Sequence, residues 1–438
     1  MRARLILGWL VVLTMVAAIG YAQEAPATKL SLADALDIAQ HNNPDYLTAV
    51  SARSPASWSL TNSTLRLFTP SATVSGGYQY SGASPGFYFN GLSFGGSPSY
   101  HANNLQLGLN YQLSGATIAG RGYAAAQLQA ADQDIAGALT LLQTSVKQEY
   151  INLLEARAQA DLAQHVVTRA QELLNLAQAR FNVGQNTMID VRQAQVTKGN
   201  ADVQLLQAQQ NVQIEVLKLY QILGVPAPEP PNVVPTDTFT VVEPRYNQDS
   251  LVALALDANP TVRAARARER AAHWNVRSAY SQFLPSLQAS ASTGTTWFTQ
   301  DTISAKQRNP WSVQIGLSLP IWDGLSRNQA VSSANAQDES LQLTVRKNAL
   351  LVRANVSAAY LALVTAYQTI AVQANNRTAA EDALSLATER YRVGSGSIIE
   401  LNDAEVTAEQ AGVTYINAIY DYHKAIAALE QAVGQSLR

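Results

Sequence analysis

The sequence contains no cysteine. That excludes disulfides, thiolate metal sites and a lipid anchor on an N-terminal cysteine. Histidine is nearly as scarce: His41, His101, His165, His273 and His423 are scattered, and none lies three or four residues from another. No helical pair is therefore placed to hold a metal, and no metal or other cofactor is expected. The formal net charge is −2 over 438 residues, which gives no electrostatic reason to expect a nucleic-acid partner. There is no cysteine nucleophile and no phosphate-binding loop; Gly394-Ser395-Gly396-Ser397 reads as a hairpin turn by its context. The chain is not expected to be an enzyme.

Long apolar runs are missing too, except at the start. Arg2 and Arg4 precede the apolar stretch Leu5 to Ile19, and Gly20-Tyr21-Ala22 places small residues where a signal peptidase needs them. Residues 1–22 read as a signal peptide; the other reading is an uncleaved anchor, for which the run is short. No other segment approaches a transmembrane helix. The mature chain is then either soluble outside the cytoplasm or crosses a membrane as strands.

What is present is a repeat. Leu36-Asp37 through Asn43-Pro44 resembles Leu256-Asp257 through Asn259-Pro260, and Phe68-Thr69-Pro70 matches Phe283-Leu284-Pro285. Gln106-Leu107-Gly108-Leu109 matches Gln314-Ile315-Gly316-Leu317. From Tyr150 and its partner Tyr360 onward the offset holds at 210 without a gap. The pattern divides the chain into a first unit, 23–224, a proline-rich linker, 225–247, and a second unit, 248–434.

Proline is absent between Pro98 and Pro226 and after Pro320. Proline breaks a helix interior at about 3 kcal/mol, so these gaps mark where long helical hairpins are allowed, about 118–224 and 325–434. The first long helix, Ile118 to Phe181, would extend roughly 95 Å and needs partners along its length. Its returning helix carries a seam at Val191, Ala194, Ala201, Leu205, Ala208, Val212, Val216, Leu219 and Leu223. The repeat places Leu401, Ala404, Ala411, Tyr415, Ala418, Tyr422, Ile426, Leu429 and Val433 at the same positions. This spacing predicts antiparallel coiled coils.

Each unit also holds two stretches of period two, about 70–80 and 104–114, then 286–297 and 311–321. One face is apolar and the other carries Ser, Gln, Asn and Gly, as in a water-filled lumen. Their lengths suit tilted membrane strands. Trp297, Trp311, Trp322, Tyr78 and Tyr80 are expected near strand ends, with loops 81–99 and 300–309 outside. A soluble β-hairpin resting on the helices is the alternative. Four strands cannot close a barrel; two chains would supply eight and three would supply twelve, and a wide lumen favours three. The fold class expected is mainly α, with long antiparallel coiled-coil helices and a membrane β-barrel portion.

These features together resemble the outer-membrane efflux proteins, the TolC-like exit ducts. The resemblance rests on the duplicated unit, the Asn-Pro near each start, the Phe-x-Pro entries to the strands and Pro320-Ile321-Trp322-Asp323-Gly324. It rests also on the hairpin tips, Arg180-Phe181-Asn182-Val183-Gly184 and Arg390-Tyr391-Arg392-Val393-Gly394. It covers about residues 30–435. It implies a homotrimer with a 12-stranded barrel held by outer-membrane lipid, a 12-helix periplasmic tunnel, and docking by a periplasmic adaptor protein and an inner-membrane pump. A duct for type I protein secretion and a soluble coiled-coil scaffold stand as alternatives.

At the tips, Gly184 and Gly394 fit left-handed helix caps. Thr187-x-x-Asp190 and Ser397-x-x-Glu400 read as capping boxes. Asp403 lies a turn beyond the second box, where the repeat has Gln193. Around a three-fold axis, Glu400 and Asp403 would form a ring favouring cations. By resemblance, these two acids line the periplasmic gate, and Tyr391 bonded to Asp190 helps to close it. A second closing link uses an arginine in some members; Gly396 stands there, which implies fewer closing bonds. Val183, Gly184, Val393 and Gly394 are the tips that the resemblance assigns to adaptor docking.

Overall fold

The computed structural model describes residues 28–84, 86–96, 98–231, 233–300 and 303–437. The expected signal peptide, 1–22, lies outside the described residues. The first unit begins with β1 (Thr28–Leu30), α1 (Leu32–Asn42), α2 (Pro44–Ser51) and α3 (Arg53–Leu65). It continues through β2 (Ser71–Ser81), a small hairpin of β3 (Phe87–Phe89) and β4 (Leu92–Phe94), and β5 (Tyr100–Leu113). The helices α4 (Gly115–Asn182) and α5 (Met188–Leu223) complete it. The linker contributes β6 (Val233–Pro235), which pairs in parallel with β1. The second unit follows the same plan with α6 (Gln248–Ala258), α7 (Pro260–Ser281), β7 (Ser286–Gln300), β8 (Ile303–Ser318), α8 (Ser326–Val393) and α9 (Ile398–Val433).

The helices form two stacked rows. Next to the sheet the order is α3, α4, α7, α8; farther away α5 and α9 take the places of α3 and α7. Each of α4 and α8 has 68 residues, so each extends about 100 Å through both rows. Such helices are stable only through packing, and the packing repeats with the sequence. Leu142, Val146, Leu153, Val216, Leu219 and Leu223 are buried in one core. Val352, Val356, Leu363, Ile426, Leu429 and Val433, at the offset of 210, are buried in another. All positions of both expected seams are buried or half-buried. Between α4 and α7 the Trp274 ring packs directly on the backbone of Gly122, where a Cβ would meet Trp274 Cδ2 at 2.3 Å.

The four long strands make one antiparallel sheet in the order β2-β5-β7-β8. Apolar positions align across it. Ala72, Leu109, Ala291 and Val313 are successive partners, as are Val74, Leu107 and Thr293. The polar positions form the opposite face, with Ser71, Asn110, Ser290 and Gln314 in one row. The apolar face is bare: Val74, Ile315 and Leu317 are each about 72% exposed.

The last two strands differ from expectation. The described residues of the loop expected at 300–309 all lie in strands, because β7 runs to Gln300 and β8 starts at Ile303. A bulge between Ser292 and Gly294 shifts the register, and Pro310, which has no backbone N–H, falls in the slipped stretch. Trp311 is therefore mid-strand, and Trp322 lies beyond the end of β8. Lys306 Nζ sits 5.5 Å from the centre of the Trp297 ring near the far end of the sheet.

Candidate functional site

The hairpin tips carry the residues singled out in the sequence, and the two tips pack on each other. Leu173, Ala177, Val191 and Ala194 from the first hairpin share a core with Leu384, Tyr391, Ile398 and Leu401 from the second. The turns are built alike. Gly184 (φ 75°) and Gly394 (φ 84°) adopt the left-handed conformation. Gln185 N–H donates to Arg180 O at 2.8 Å and Gly184 N–H to Phe181 O at 2.9 Å; Ser395 and Gly394 repeat both bonds on Arg390 and Tyr391. These are Schellman caps. Val183 and Val393 stand out from them, 69% and 71% exposed.

The first return helix opens as expected. Thr187 Oγ1 accepts from Asp190 N–H, and the Asp190 carboxylate accepts from Thr187 N–H at 3.0 Å and from its hydroxyl at 3.1 Å. The second forms only half a box. Ser397 Oγ accepts from Glu400 N–H at 3.1 Å, but the Glu400 carboxylate pairs with Arg390. The arginine three residues ahead of the turn is a better partner for a longer acid than a single backbone N–H. Asp403 is exposed and carries no ion pair among the described residues. Glu400 and Asp403 therefore share one helix, but only Asp403 presents an uncompensated charge.

Asp190 and Tyr391 are not joined by a hydrogen bond, which corrects the expected closing link. The capping box holds the Asp190 carboxylate, and the Tyr391 hydroxyl accepts from Asn186 Nδ2 at 2.7 Å. Arg180 supplies a second contact: its guanidinium donates to the Tyr391 main-chain carbonyl and lies 5.2 Å from the centre of the Tyr391 ring. Burial pushes the Tyr391 hydroxyl pKa up; the nearby Asp190 charge adds to this, while the Asn186 bond and Arg180 oppose it. Sequence reading missed both Arg180 and Asn186. Arg180 entered only as part of the tip motif, and its repeat partner Arg390 stays on its own hairpin. The signal that bears on them is Tyr391 opposite Phe181: a buried hydroxyl present in one copy alone takes a hydrogen-bond partner that the other copy does not need.

Comparison with known proteins places this geometry. The outer membrane efflux protein family profile matches residues 35–225 and 251–435, one match for each unit. The outer membrane efflux protein BepC of Brucella suis is 24% identical over 65% of this chain, a match that spans 61% of BepC. The outer membrane protein TolC of Vibrio cholerae is 23% identical over 92% of this chain and 90% of its own length. Among solved structures, the outer-membrane channel OprN superposes with a TM-score of 0.77 at 20% identity, covering 92% of this chain and 90% of that one. The outer membrane protein VceC of Vibrio cholerae gives 0.76 at 19% identity, covering 93% and 97%. The chain belongs to the outer membrane efflux protein family, a family of the outer membrane and not of enzymes, and it shares the fold of the solved outer-membrane channels.

Proposed function

We propose that three copies of this chain form a passive exit duct. In this reading the duct receives substrates from a periplasmic adaptor and an inner-membrane pump and releases them outside. The observation that carries the reading is the sheet: four strands, an exposed apolar face, and both edge strands, β2 and β8, unpaired. Open edges are not tolerated in lipid, so β8 of one copy pairs with β2 of the next until the ring closes. Three copies give twelve strands.

The helices support the same assembly. Against the expectation that no segment after the N-terminus approaches a transmembrane helix, α8 contains an 18-residue stretch apolar enough to cross a membrane, yet only 17% of that stretch is buried. Leu350, Leu351 and Leu361 on α8, and Val196, Val203 and Leu206 on α5, are exposed at the outer edges of the helix rows. A neighbouring copy covers them by packing its α5 side against this α8 side. Val183, Gly184, Val393 and Gly394 then face the adaptor as a ring of small apolar tips. Glu400 and Asp403 line the narrow end, and Tyr391, with Asp190 close by, belongs to the closing contacts.

The test is one sample measured twice: the oligomeric mass of detergent-purified protein, and its conductance in a planar bilayer. A trimer with stable conductance is expected. A protein extracted without detergent and lacking conductance would instead be a soluble scaffold. Gene neighbours of secretion type would favour protein cargo.

A further inference from the structure

The polar face of the sheet carries no charged residue among the described positions, from Ser71 and Asn110 at one end to Gln79 and Asn104 toward the other. At the end nearest the helices this face opens into a cavity of about 840 Å³, floored by α3 and the first turns of α4. Rows of neutral groups line it: Asn110, Ser290 and Gln314, then Gln112 and Gln288. From below, α3 presents one face at four-residue and three-residue steps, Ser59, Asn62, Ser63 and Arg66.

Among the described residues, Arg66 is the one charged group lining this cavity. Its guanidinium has no ion pair or side-chain hydrogen bond among the described residues. The nearest acids along α4 are taken: Asp132 pairs with Arg53 at 2.7 Å and Asp134 with Arg268 at 2.5 Å. Arg121, exposed on α4, lies one turn beyond Thr117, which also lines the cavity. The junction of helices and sheet is thus a neutral amide-lined space with unpaired positive charge and no compensating acid.

We propose that this junction is an anion-attracting collar, in which Arg66, with Arg121 a level below it, draws carboxylate- or phosphate-bearing solutes from the helical section into the barrel. The inference rests on the trimeric duct reading, which places three Arg66 side chains around one lumen. Guanidinium groups recognise carboxylate and phosphate bidentately, and the flanking amides supply further donors without a fixed charge. The sign is opposite to that of Asp403 at the far end of the helices. The force is screened within about 10 Å at 0.1 M salt and within about 3 Å at 1 M, so it acts at low ionic strength.

The experiment is a reversal potential in a potassium chloride gradient across a planar bilayer, comparing the native duct with Arg66→Gln, Arg66→Glu and Arg66→Lys. At about 0.1 M salt, the chloride-to-potassium permeability ratio should fall at least about twofold in Arg66→Gln and further in Arg66→Glu. Arg66→Lys should keep the native ratio, and the differences should shrink near 1 M. Conducting channels with the same ratio in the native, Gln and Glu forms overturn the collar and leave the duct standing. So does a Lys variant that shifts as far as Gln. Native protein that never conducts overturns the duct reading and the collar with it.

Discussion

The guanidinium of Arg180 donates to the main-chain carbonyl of Tyr391 and lies 5.2 Å over the ring of the same residue. One cation from the first hairpin thereby grips both the backbone and the side chain of the second. Asn186, on the turn between α4 and α5, adds its bond to the Tyr391 hydroxyl at 2.7 Å. If these contacts hold the two tips together at the closed end, removing them eases opening. Arg180→Ala should raise single-channel conductance, and Tyr391→Phe should raise it less. Asn186→Ala and Tyr391→Phe delete the same bond, worth about 0.5–1.5 kcal/mol. The double variant should therefore behave like either single one. Additive effects in a conductance-based cycle would show that the bond does not couple the tips.

The acids of the second return helix should not contribute equally. Glu400 is paired with Arg390, whereas Asp403 is exposed and unpaired among the described residues. Asp403→Asn should lower cation selectivity and weaken block by divalent cations. Glu400→Gln should weaken divalent block less, because Arg390 already occupies that carboxylate, while the Arg390 charge it frees lowers cation selectivity as well; Arg390→Gln should increase both properties. Equal loss of divalent block in the two acid variants in bilayer recordings would mean that the Arg390 pair opens in the membrane.

The repeat predicts which glycines the fold needs. Gly184 and Gly224 share the left-handed conformation, at φ 75° and 74°. A Cβ on Gly184 would meet nothing within 4 Å, whereas on Gly224 it would lie 2.4 Å from Asn42 O. Beside it, Asn43 caps α2 and ties its amide to Ile222 O at 2.8 Å; Asn259 likewise caps α7 and ties to Ala432 O at 3.0 Å. Gly184→Ala should cost about 1 kcal/mol, the ordinary penalty for a side chain at positive φ. Gly224→Ala should cost more and lower the melting temperature clearly. Asn43→Ala should cost about 1–2 kcal/mol for the lost cap, plus the orphaned Ile222 carbonyl. Thermal unfolding in detergent ranks the three.

Much of this architecture was legible because it is periodic. Proline-free stretches marked α4 and α8, the seam at Val191 to Leu223 marked α5, and adding 210 gave α9. The alternation at Ala72 to Tyr80 placed β2 within a residue of its ends. What escaped was set by contacts distant in sequence. The bulge near Pro310 depends on the pairing of β8 with β7, so local pattern read a loop where two strands continue. At the tips, the capping box named Thr187 as the partner of Asp190, but nothing local named Asn186 for Tyr391 or Arg390 for Glu400. Asp190 met a nearby backbone N–H first, and Glu400 found Arg390 across its own turn. For both acids, local partners with little chain entropy to overcome won, and Asp190 did not form the long-range link that the resemblance implied.

A last prediction concerns two acids in the first unit that the duct reading does not use. Glu149 on α4 and Glu215 on α5 each bury a carboxylate oxygen that has no hydrogen-bond partner except, through a shared proton, the other acid. Asn152 Nδ2 donates to the second oxygen of Glu149 at 3.1 Å, and Lys218 pairs with the second oxygen of Glu215 at 2.8 Å. Burial, then Glu215, pushes Glu149 up from 4.5 to about 7. Burial also acts upward on Glu215, but the Glu149 bond and Lys218 outweigh it and hold its pKa down. The sign follows from proton counts. Between about pH 4.5 and 7 the unfolded chain releases the Glu149 proton while the folded chain keeps it, so the folded state binds more protons. Stability from this pair is present below that window and falls as pH rises through it; the Glu215 contribution runs the other way and is lost only in stronger acid. Glu149→Gln keeps a donor for Glu215 and cannot ionise. Its melting temperature in detergent should therefore stay level from pH 5 to 8, where the native protein declines. A variant that declines in parallel with the native protein would place the pH dependence elsewhere.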